Sequence, residues 1–363
     1  MDGIDIALIR TDGIDRVEFG PNAFVAYESD FRRRLEQALK DAKPIRQRDE
    51  RPANLAAVER EITQRHADAV AGFILTHATR VELVGFHGQT VLHRPHEALT
   101  VQLGDGVQLA GLTGLPVVYD MRANDMAHGG QGAPLVPAYH VALARSQAAE
   151  WRGMFPVVFV NIGGISNITY VPESGDPIAF DTGPGNALID QWVSREGGVP
   201  FDDGGRIASE GQIDLMTIDR YLENPFFEKS GPKSLDRLDF TLDTMGRLEL
   251  SDGARTLAAV SARSILKAVD HLPEKPRLWI VCGGGRKNPY IVNDLRAGAS
   301  AQGARVMLAE DGGWNGDFTE AEAWAYLAVR ARKGLPLTYP STTGCTEPIS
   351  GGRLAGVQSS SLP

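Results

Sequence analysis

The chain has 363 residues, of which 42% are apolar and 23% charged, and its formal net charge is −9. This length favours two domains, since a single hydrophobic core stops growing at roughly 250–300 residues. The acidic balance argues against a nucleic-acid partner, because proteins that bind the phosphate backbone present a basic surface. Two cysteines cannot form a disulfide framework, and no run is apolar enough for a membrane span or secretory signal, so we expect a cytoplasmic protein.

Apolar periodicity predicts that strands open the first part of the chain and that helices follow. Residues 4–10 alternate as in a β-strand, and a turn at Asp12-Gly13 leads to a second strand near 17–19. Apolar residues at spacings of three and four over 55–73 predict an amphipathic helix. The other elements predicted up to residue 146 are a helix over 31–42, strands over 82–86, 100–103 and 116–119, and a helix that ends near 144.

The second part of the chain repeats this succession of strands and helices after a linker at 147–154. The predicted strands are 157–162, 167–171, 178–180, 278–282 and 305–309, and the predicted helices are 186–196, 207–222, 254–271 and 320–332. The order indicates an α/β protein with two similar halves, which we assign to domains 1–146 and 147–363. The second half opens with strand, glycine turn, strand and strand, whereas the first opens with what corresponds to the second of these strands. If the halves are duplicates, a strand and its glycine loop are missing before Met1.

Three glycine-rich segments follow predicted strands in the second half: 161–167 (NIGGISN), 181–186 (DTGPGN) and 282–285 (CGGG). Such loops expose backbone N–H groups that can bind phosphate. Taken singly, each is more often a simple turn or a site of close packing. Together they indicate a nucleotide site, although the Walker and GxGxxG patterns are absent.

Two carboxylates are candidates for acid–base chemistry. Asp181 ends an apolar strand beside a glycine-rich loop, where it can accept a proton from water or a hydroxyl. A carboxylate that only stabilises a helix N-terminus explains the same position equally well. Glu320 begins the last helix, and a first-turn acid is its simpler interpretation.

Several polar segments in the chain suggest ligand contacts. The segment 87–93 (HGQTVLH) can contact a polyhydroxy ligand or form a surface turn. Arg122 is suited to bidentate carboxylate binding, and a structural ion pair is about as plausible. Arg286 and Lys287 can attract phosphate or simply be solvated.

Taken in order, the motifs resemble the anhydro-N-acetylmuramic acid kinases of the actin-like ATPase and sugar kinase superfamily. The resemblance covers residues 1 to about 354 and is carried by GFHGQTVLHRP, QLGDG, DMRANDMAHGGQGAPLVPAYH, VNIGGISNITYV, FDTGPGNALIDQW, CGGGRKNPY, EAEAWAYLA and LPLTYPSTTGCTEPISGGRL. It implies an α/β fold in which two ribonuclease-H-like domains surround a central cleft, the first of them lacking its first strand.

The resemblance also implies a reaction and its participants. The substrate is 1,6-anhydro-N-acetylmuramic acid, released from peptidoglycan during wall turnover; water opens its anhydro bridge, and ATP with Mg²⁺ phosphorylates the 6-oxygen. Asp181 matches the general base, and Glu320 matches an acid near the substrate. Positions that match the sugar site are His87, Gln89, Thr90 and Arg122; those that match the ATP site are Asp2, Gly3, Asp5, Gly163, Gly164, Ser166, Gly183, Gly283, Gly284, Gly285 and Asn288. The expected partners are therefore the sugar and ATP, with neither nucleic acid nor membrane, and a homodimer is left open.

The sequence departs from the family pattern at its beginning. The family opens with a strand and a Ser-Gly-Thr-Ser-x-Asp-Gly loop, of which only Met1-Asp2-Gly3 matches the end. Either residues lie upstream, which we favour because the downstream motifs are intact, or the chain is truncated and impaired. Two alternative functions follow: a non-catalytic sugar or nucleotide binder, and a glycoside hydrolase that uses Asp181 and Glu320 as paired carboxylates.

Overall fold

The computed structural model describes residues 2–147, 149–235 and 239–356, which divide into two compact units. The first unit comprises 2–146 and 320–356, and the second comprises 147–319 apart from the gaps. The strands are β1 (Gly3–Thr11), β2 (Val17–Ala26), β3 (Val84–Gly85), β4 (Gln89–Arg94), β5 (Leu99–Leu103), β6 (Val117–Tyr119), β7 (Val157–Ile162), β8 (Ile165–Val171), β9 (Ile178–Pro184), β10 (Leu278–Cys282), β11 (Arg305–Leu308) and β12 (Arg353–Ala355). The helices are α1 (Ser29–Asp41), α2 (Leu55–His77), α3 (Gly106–Thr113), α4 (Ala123–Ala127), α5 (Pro137–Ser146), α6 (Ala187–Gly197), α7 (Leu215–Leu222), α8 (Leu250–Lys267), α9 (Pro289–Ala301), α10 (Thr319–Arg332) and α11 (Pro340–Thr343).

The second unit contains a five-stranded sheet in the order β11-β10-β7-β8-β9. Strands β7, β8 and β9 form an antiparallel meander, while β10 lies parallel to both β7 and β11. Nearly every residue of β7 and β10 is buried, as expected for inner strands that are covered on both faces. Helix α8 packs its long buried face into the same core, which includes Trp192 and Trp279.

The first unit distributes its strands among three smaller sheets: β1-β2, β12-β6-β3 and the hairpin β4-β5. Helix α2 lies against this core through Leu55, Val58 and Ile62, three of the positions predicted from their spacing. Strand β3 runs parallel to β6, and β1 runs antiparallel to β2. Both units are therefore α/β, which confirms the predicted fold class.

Two of the sheets in the first unit, β1-β2 and β12-β6-β3, can be compared with the single sheet of the second unit. In the second unit β7 lies between β8 and β10. The corresponding neighbours in the first unit are β1 and β3, which belong to separate sheets, so no strand joins them in the described part of the chain.

The C-terminal segment does not pack where the sequence placed it. We expected a second domain of 147–363, but residues 320–356 belong to the first unit. Strand β12 pairs with β6, the Tyr139 hydroxyl donates a 2.8 Å hydrogen bond to buried Glu322, and Arg330 donates to the carbonyl of Gly13 at 2.9 Å. These buried polar contacts need their partners, which explains why the chain returns to the first unit.

Some predicted elements were wrong or were missed. The helix predicted over 207–222 begins only at Leu215. Residues 208–210 form a separate 3-10 turn that ends at Gly211, whose backbone is extended, and Asp214 then caps the new helix by accepting from the Thr217 amide. Helix α9 was missed, although Asn288 caps its N-terminus and Pro289 occupies its first turn. Strands β4 and β12 were also missed.

Both cysteines are free and buried. Cys282 ends β10, and its thiol lies 3.3 Å from the carbonyl oxygen of Val160. Burial raises the pKa of the Cys282 thiol to about 12, and burial also raises the pKa of Cys345. Neither thiol has the exposed, electropositive surroundings that make a cysteine reactive.

Two helical glycines make a matched test of packing in this fold. A Cβ at Gly253 in α8 would lie 2.1 Å from the Trp192 ring, whereas a Cβ at Gly72 in α2 meets nothing within 4 Å. We expect Gly253→Ala to lower the free energy of unfolding by about 1–3 kcal/mol through overpacking. Gly72→Ala should raise it by about 0.5–1 kcal/mol through helix propensity. Urea denaturation measures both; an unchanged midpoint for Gly253→Ala contradicts the packing of α8 on Trp192.

Candidate functional site

In the first unit, Arg122 lies at the centre of a cluster of predicted sugar-site residues. Its Nε and Nη2 approach Nε2 of His87 at 3.3 and 3.0 Å, and its Nη1 donates to the carbonyl of Gly132 at 2.8 Å. The guanidinium also lies over the Trp324 ring, 5.2 Å from its centroid, and the His87 ring packs on the same indole at 4.4 Å. The structure thus brings together two of the four predicted sugar-site residues.

The protonation of His87 follows from these contacts. Burial lowers the pKa of His87 to about 3, and the charge of Arg122 lowers it further. A neutral imidazole offers a lone pair at Nε2, which is what the Arg122 donors require. Burial also lowers the pKa of Arg122, while the charges of Glu320 and Asp125 act in the opposite direction. His87 is therefore the neutral acceptor that orients a guanidinium cation.

The remaining predicted residues of this unit lie around the cluster. Gln89 and Thr90 begin β4, the strand that sequence analysis missed, and the Thr90 hydroxyl accepts a 3.2 Å hydrogen bond from Gln102. Glu320 is exposed in the first turn of α10 and acts on Arg122 through its charge. The segment 87–93 is thus a strand with its preceding turn, which corrects the interpretation as a simple surface turn.

Asp125 is a structural residue of this cluster that sequence analysis missed. Its carboxylate is buried and accepts hydrogen bonds from the Gly132 amide at 2.6 Å and the Thr343 hydroxyl at 2.7 Å. A Cβ at Gly130 would come within 2.2 Å of the same carboxylate. Asp125 therefore fixes the glycine-rich loop whose Gly132 carbonyl holds Arg122, and the glycines that flank this acid were the available signal.

In the second unit, the predicted phosphate loops meet at one end of the sheet. The turn Gly163-Gly164 joins β7 to β8 and bonds to the start of α6: the Gly164 carbonyl accepts from Gly185 at 2.9 Å, and that of Gly163 accepts from Asn186 at 2.8 Å. The loop after β10 approaches the same place, because Cys282 pairs with Asn161 across parallel strands. All three glycine-rich segments are therefore adjacent.

Close backbone approach accounts for the glycines after β10. Gly283 has a φ of +76°, and a Cβ there would lie 2.3 Å from Oδ1 of Asn161. At Gly285 a Cβ would lie 2.2 Å from the side chain of Ile162, whereas Gly284 is exposed. Side chains at Gly283 and Gly285 would push this loop away from the C-terminal end of β7. Gly284 has no side chain to cover the exposed backbone of the loop.

Arg286 holds this loop in place, which resolves the alternatives left by the sequence. Its buried guanidinium bonds to Glu310 at 2.8 Å, to Asp317 at 2.8 Å and to the Gly283 carbonyl at 3.0 Å. Burial by itself lowers the pKa of Arg286, but the two carboxylates outweigh it and raise the pKa. The bond to Arg286 lowers the pKa of Asp317 to about 2. Lys287 is exposed and pairs with Asp317 at 2.9 Å. Arg286 is thus a structural cation.

Asp181 lies in β9 and is held by a neighbouring segment. Its amide donates to the Lys233 carbonyl at 2.9 Å, and its Oδ2 accepts from the Leu235 amide at 2.8 Å. Burial raises the pKa of Asp181 to about 6, although the Leu235 bond acts in the opposite direction. Asp181 does not cap the following helix, because α6 begins at Ala187. A fixed carboxylate with a pKa near neutrality is suited to accept a proton.

Three predicted ATP-site residues of the second unit are buried in this structure. The Ser166 hydroxyl is fully buried and has no hydrogen-bond partner among the described residues. A Cβ at Gly183 would lie 2.6 Å from Cβ of Ser264 in α8, so glycine permits close contact between strand and helix. Asn288 is buried and caps α9 by accepting from the Tyr290 amide at 3.0 Å. The contacts of Gly183 and Asn288 explain these two residue types without a ligand.

The predicted ATP-site residues of the first unit begin β1. Asp2, Gly3 and Asp5 line a cavity of about 870 Å³, together with His87, Gln89 and Glu320. Asp2 and Asp5 are exposed, and the Asp2 carbonyl accepts a 2.8 Å hydrogen bond from the Tyr27 amide. In the described residues no group of three or more acidic, histidine or cysteine side chains forms a metal cage.

Comparison with known proteins decides the family. The sequence model of anhydro-N-acetylmuramic acid kinase matches residues 1–355. The chain is 56% identical over 355 residues to the anhydro-N-acetylmuramic acid kinase of Brucella canis, covering 97% of this chain and 95% of that protein. The chain belongs to the anhydro-N-acetylmuramic acid kinase family. The relative from Agrobacterium fabrum is 54% identical over 357 residues, with 98% of this chain and 95% of that protein covered.

The family assignment rests on these sequence matches over nearly the whole chain. A solved structure of the ethanolamine utilization protein EutJ from Carboxydothermus hydrogenoformans aligns with 89% of this chain and 85% of that chain, at a TM-score of 0.43 and 13% identity. Within the described residues of this anhydro-N-acetylmuramic acid kinase family member, no helix has the length and apolar character needed to cross a membrane.

The role of Arg286 generates a stability prediction for this family member. Arg286→Ala leaves two carboxylates and the Gly283 carbonyl without their donor, and we expect the free energy of unfolding to fall by about 2 kcal/mol, since water can reach both half-exposed carboxylates. Lys287→Ala removes only an exposed contact to Asp317 and should change it by less than about 0.5 kcal/mol. Urea denaturation followed by tryptophan fluorescence gives the free energy of unfolding of both variants. Equal losses of this free energy in the two variants would contradict the structural role of Arg286.

Proposed function

We propose that this chain is an ATP-dependent kinase that hydrolytically opens 1,6-anhydro-N-acetylmuramic acid and phosphorylates its 6-oxygen, yielding N-acetylmuramic acid 6-phosphate. Identity above 50% with anhydro-N-acetylmuramic acid kinases along nearly their full length supports this proposal. The single structural observation that carries it is Asp181, a half-buried and hydrogen-bonded carboxylate beside the glycine loops of the second unit. The reaction belongs to the recycling of peptidoglycan sugars, and we place it in the cytoplasm, where ATP is available and free thiols persist.

Asp181 acts as the general base in this proposal. It takes a proton from water as the oxygen attacks the anomeric carbon and the bond from that carbon to the 6-oxygen breaks. The released 6-oxygen then attacks the γ-phosphorus of ATP, and ADP leaves. Burial supports the role of Asp181, since a carboxylate with a pKa of about 6 is a stronger base than an exposed one and remains mostly ionised at pH 7.

The Arg122 cluster recognises the sugar in this proposal. Three hydrogen bonds fix the guanidinium. Both acceptors, His87 and the Gly132 carbonyl, are neutral, so much of its positive charge remains available to an anion. The sugar carries a lactyl carboxylate, and a fixed guanidinium suits such a group. We assign His87, Gln89 and Thr90 to the same sugar site, and Glu320 to an acid near the substrate.

The glycine loops bind ATP in this proposal. Backbone N–H groups of Gly163, Gly164 and 283–285 lie at the ends of parallel strands, where such groups bind phosphate. Mg²⁺ is bound in proteins by one or two carboxylates together with substrate phosphates, so a dedicated cage is not needed. The exposed carboxylates of Asp2 and Asp5 are oxygen donors of the required type, and we assign them to Mg²⁺ that enters with ATP and offsets phosphate charge.

The alternative functions are not favoured by the comparisons. This chain is more than 50% identical to named kinases over nearly its whole length. A glycoside hydrolase that uses Asp181 and Glu320, or a non-catalytic binder, would have to keep that identity while lacking kinase activity.

One assay separates the three functions: the purified chain is incubated with the anhydro-sugar and ATP, and ADP and sugar phosphate are followed. ADP that accumulates only with the sugar supports the kinase, sugar opening without ATP supports the hydrolase, and sugar binding without ADP supports the binder.

The role of Asp181 predicts a large loss on substitution. Asp181→Asn retains an acceptor for the Leu235 amide but cannot take a proton, so kcat should fall by about 10²–10⁴-fold while ATP binding is preserved. The control is Asp176→Asn, an exposed carboxylate in the turn between β8 and β9, which should leave kcat unchanged. Turnover in Asp181→Asn equal to the wild type would remove Asp181 from the mechanism.

The raised pKa of Asp181 predicts how activity depends on pH. A base must be deprotonated, so kcat/KM should rise with pH and reach half its maximum near pH 6, the pKa of this carboxylate. Asp190 also has a pKa of about 6, raised by burial and by Asp202, so it could titrate in the same range. The pH step should therefore persist in Asp190→Asn. A profile that is flat between pH 5 and 7, or a step lost in Asp190→Asn, would contradict the assignment.

A further inference from the structure

Asp181, the proposed general base, lies where the edge strand of the second sheet is irregular. Strand β9 ends the strand order, and its Gly183 pairs with Ser166 of β8. The next residue of β8, Asn167, pairs with Asp181. Thr182 is therefore an extra residue, a β-bulge, which interrupts the ladder and redirects the side chains beside it. The direction of the Asp181 carboxylate thus depends on contacts from outside the sheet.

The segment 229–235 supplies these contacts. The Lys233 carbonyl accepts from the Asp181 amide at 2.9 Å, and the Leu235 amide donates to the Asp181 carboxylate at 2.8 Å. The Leu235 side chain packs against the hydrophobic core of the second unit. The orientation of the carboxylate therefore depends on where this segment lies along β9.

The side chain of Lys233 fixes the segment in place. Its Nζ donates to the carbonyls of Lys229 at 2.8 Å and Phe226 at 3.3 Å. The same ammonium lies over the Phe226 ring, 4.6 Å from its centroid, and 5.4 Å from the ring centroid of Phe180, the residue before Asp181. Aromatic faces attract a cation, more strongly where water is partly excluded. Lys233 therefore ties the segment to β9 next to the carboxylate.

Lys233 keeps its charge at pH 7 although it is half-buried. Burial lowers the pKa of Lys233 to about 8; the charge of Glu228 acts in the opposite direction, and those of Lys229 and Lys267 add to the lowering. An ammonium with a pKa of about 8 is mostly protonated at pH 7. It then offers three donors, which suits bonds to two carbonyls, and a positive charge, which suits the aromatic faces.

We propose that Lys233 is a positioning residue for the kinase reaction, anchoring the segment 229–235 so that the Leu235 amide holds the carboxylate of Asp181 in its reactive orientation. The proposal rests on the proposed function, in which Asp181 takes a proton from water. Lys233 acts through Leu235 and needs no contact with the sugar or with ATP. A misplacement of about 1 Å that originates far from the chemistry can cost about 10²-fold in rate, so such an anchor affects turnover.

Three substitutions in the full chain test this role. Lys233→Met keeps a long apolar side chain but removes the charge and the donors. Lys233→Arg keeps the charge, the donors and the attraction to aromatic faces. Lys229→Met is the matched control, since it removes an exposed positive charge from the same segment and leaves the backbone carbonyl that accepts from Lys233.

Four properties are measured for each chain. Amide hydrogen exchange at Leu235 reports the contact to the carboxylate. Carbon-13 NMR of the aspartate carboxyl groups gives the pKa of Asp181, and its signal is assigned by its loss in Asp181→Asn. The other two properties are kcat/KM as a function of pH and the Tm of thermal unfolding.

We expect Lys233→Met to loosen the Leu235 contact. Exchange at Leu235 should quicken at least about tenfold, and kcat should fall by about 10–100-fold. The pKa of Asp181 should rise above 6, because the Leu235 bond lowers it, whereas burial, which the packed Leu235 side chain maintains, raises it. The half-maximum of kcat/KM should move to higher pH with it. Lys233→Arg should recover most of each property, and Lys229→Met should match the wild type.

Two results would overturn the proposal. The first is a pKa of Asp181 that stays at about 6 or falls in Lys233→Met; a lower Tm alone would then make Lys233 an ordinary structural residue. The second is an equal loss in Lys233→Arg and Lys233→Met, which would show that the cation does not anchor the segment. Lys233→Gln, which loses the charge but keeps a donor group, replaces Lys233→Met if that variant does not fold, with the same expected directions.

The same measurements separate this proposal from the proposed function. Hydrogen exchange at Leu235 and the pKa of Asp181 are read without turnover. Failure of the wild-type chain to form ADP would contradict the proposed function. Normal wild-type turnover, together with an unmoved pKa of Asp181 in Lys233→Met, would contradict only the role of Lys233.

Discussion

Backbone pairing along both edges of β7 is the constraint on which the second unit depends. An inner strand must bond to a neighbour on each side, because buried N–H and C=O groups without partners are costly. Pairing with β8 and β10 brings the Gly163-Gly164 turn and the Gly283 loop to the same end of the sheet. The candidate phosphate site is therefore a consequence of strand register, and its glycines permit the backbone to come close enough.

Two arginines, one in each unit, show how partners determine what a cation can do. Arg286 bonds to the carboxylates of Glu310 and Asp317, which neutralise its charge within the second unit. Arg122 bonds instead to neutral acceptors, His87 and the Gly132 carbonyl. A guanidinium oriented by neutral groups retains more attraction for an incoming anion than one already paired, which favours the binding role proposed for Arg122.

The sequence predicted the α/β class, most inner strands and the gathering of the glycine loops, because long apolar runs and glycines after strands are local signals. It did not predict that residues 320–356 return to the first unit, since that depends on partners far along the chain: Glu322 with Tyr139, and β12 with β6. Asp125 and the ion pairs of Arg286 were missed for the same reason. Asp181 was located from sequence, but the contact from Leu235 that fixes its carboxylate spans 54 positions and leaves no periodic pattern.

The state of the two thiols has a practical consequence for following motion in this enzyme family. Cys282 and Cys345 are buried, and the high pKa of Cys282 leaves almost none of it as thiolate at neutral pH. Maleimide reagents attack the thiolate, so a cysteine introduced at the surface would be labelled selectively while both native residues stay in place. Fluorophore pairs could then report ligand-induced rearrangement in the otherwise unaltered polypeptide.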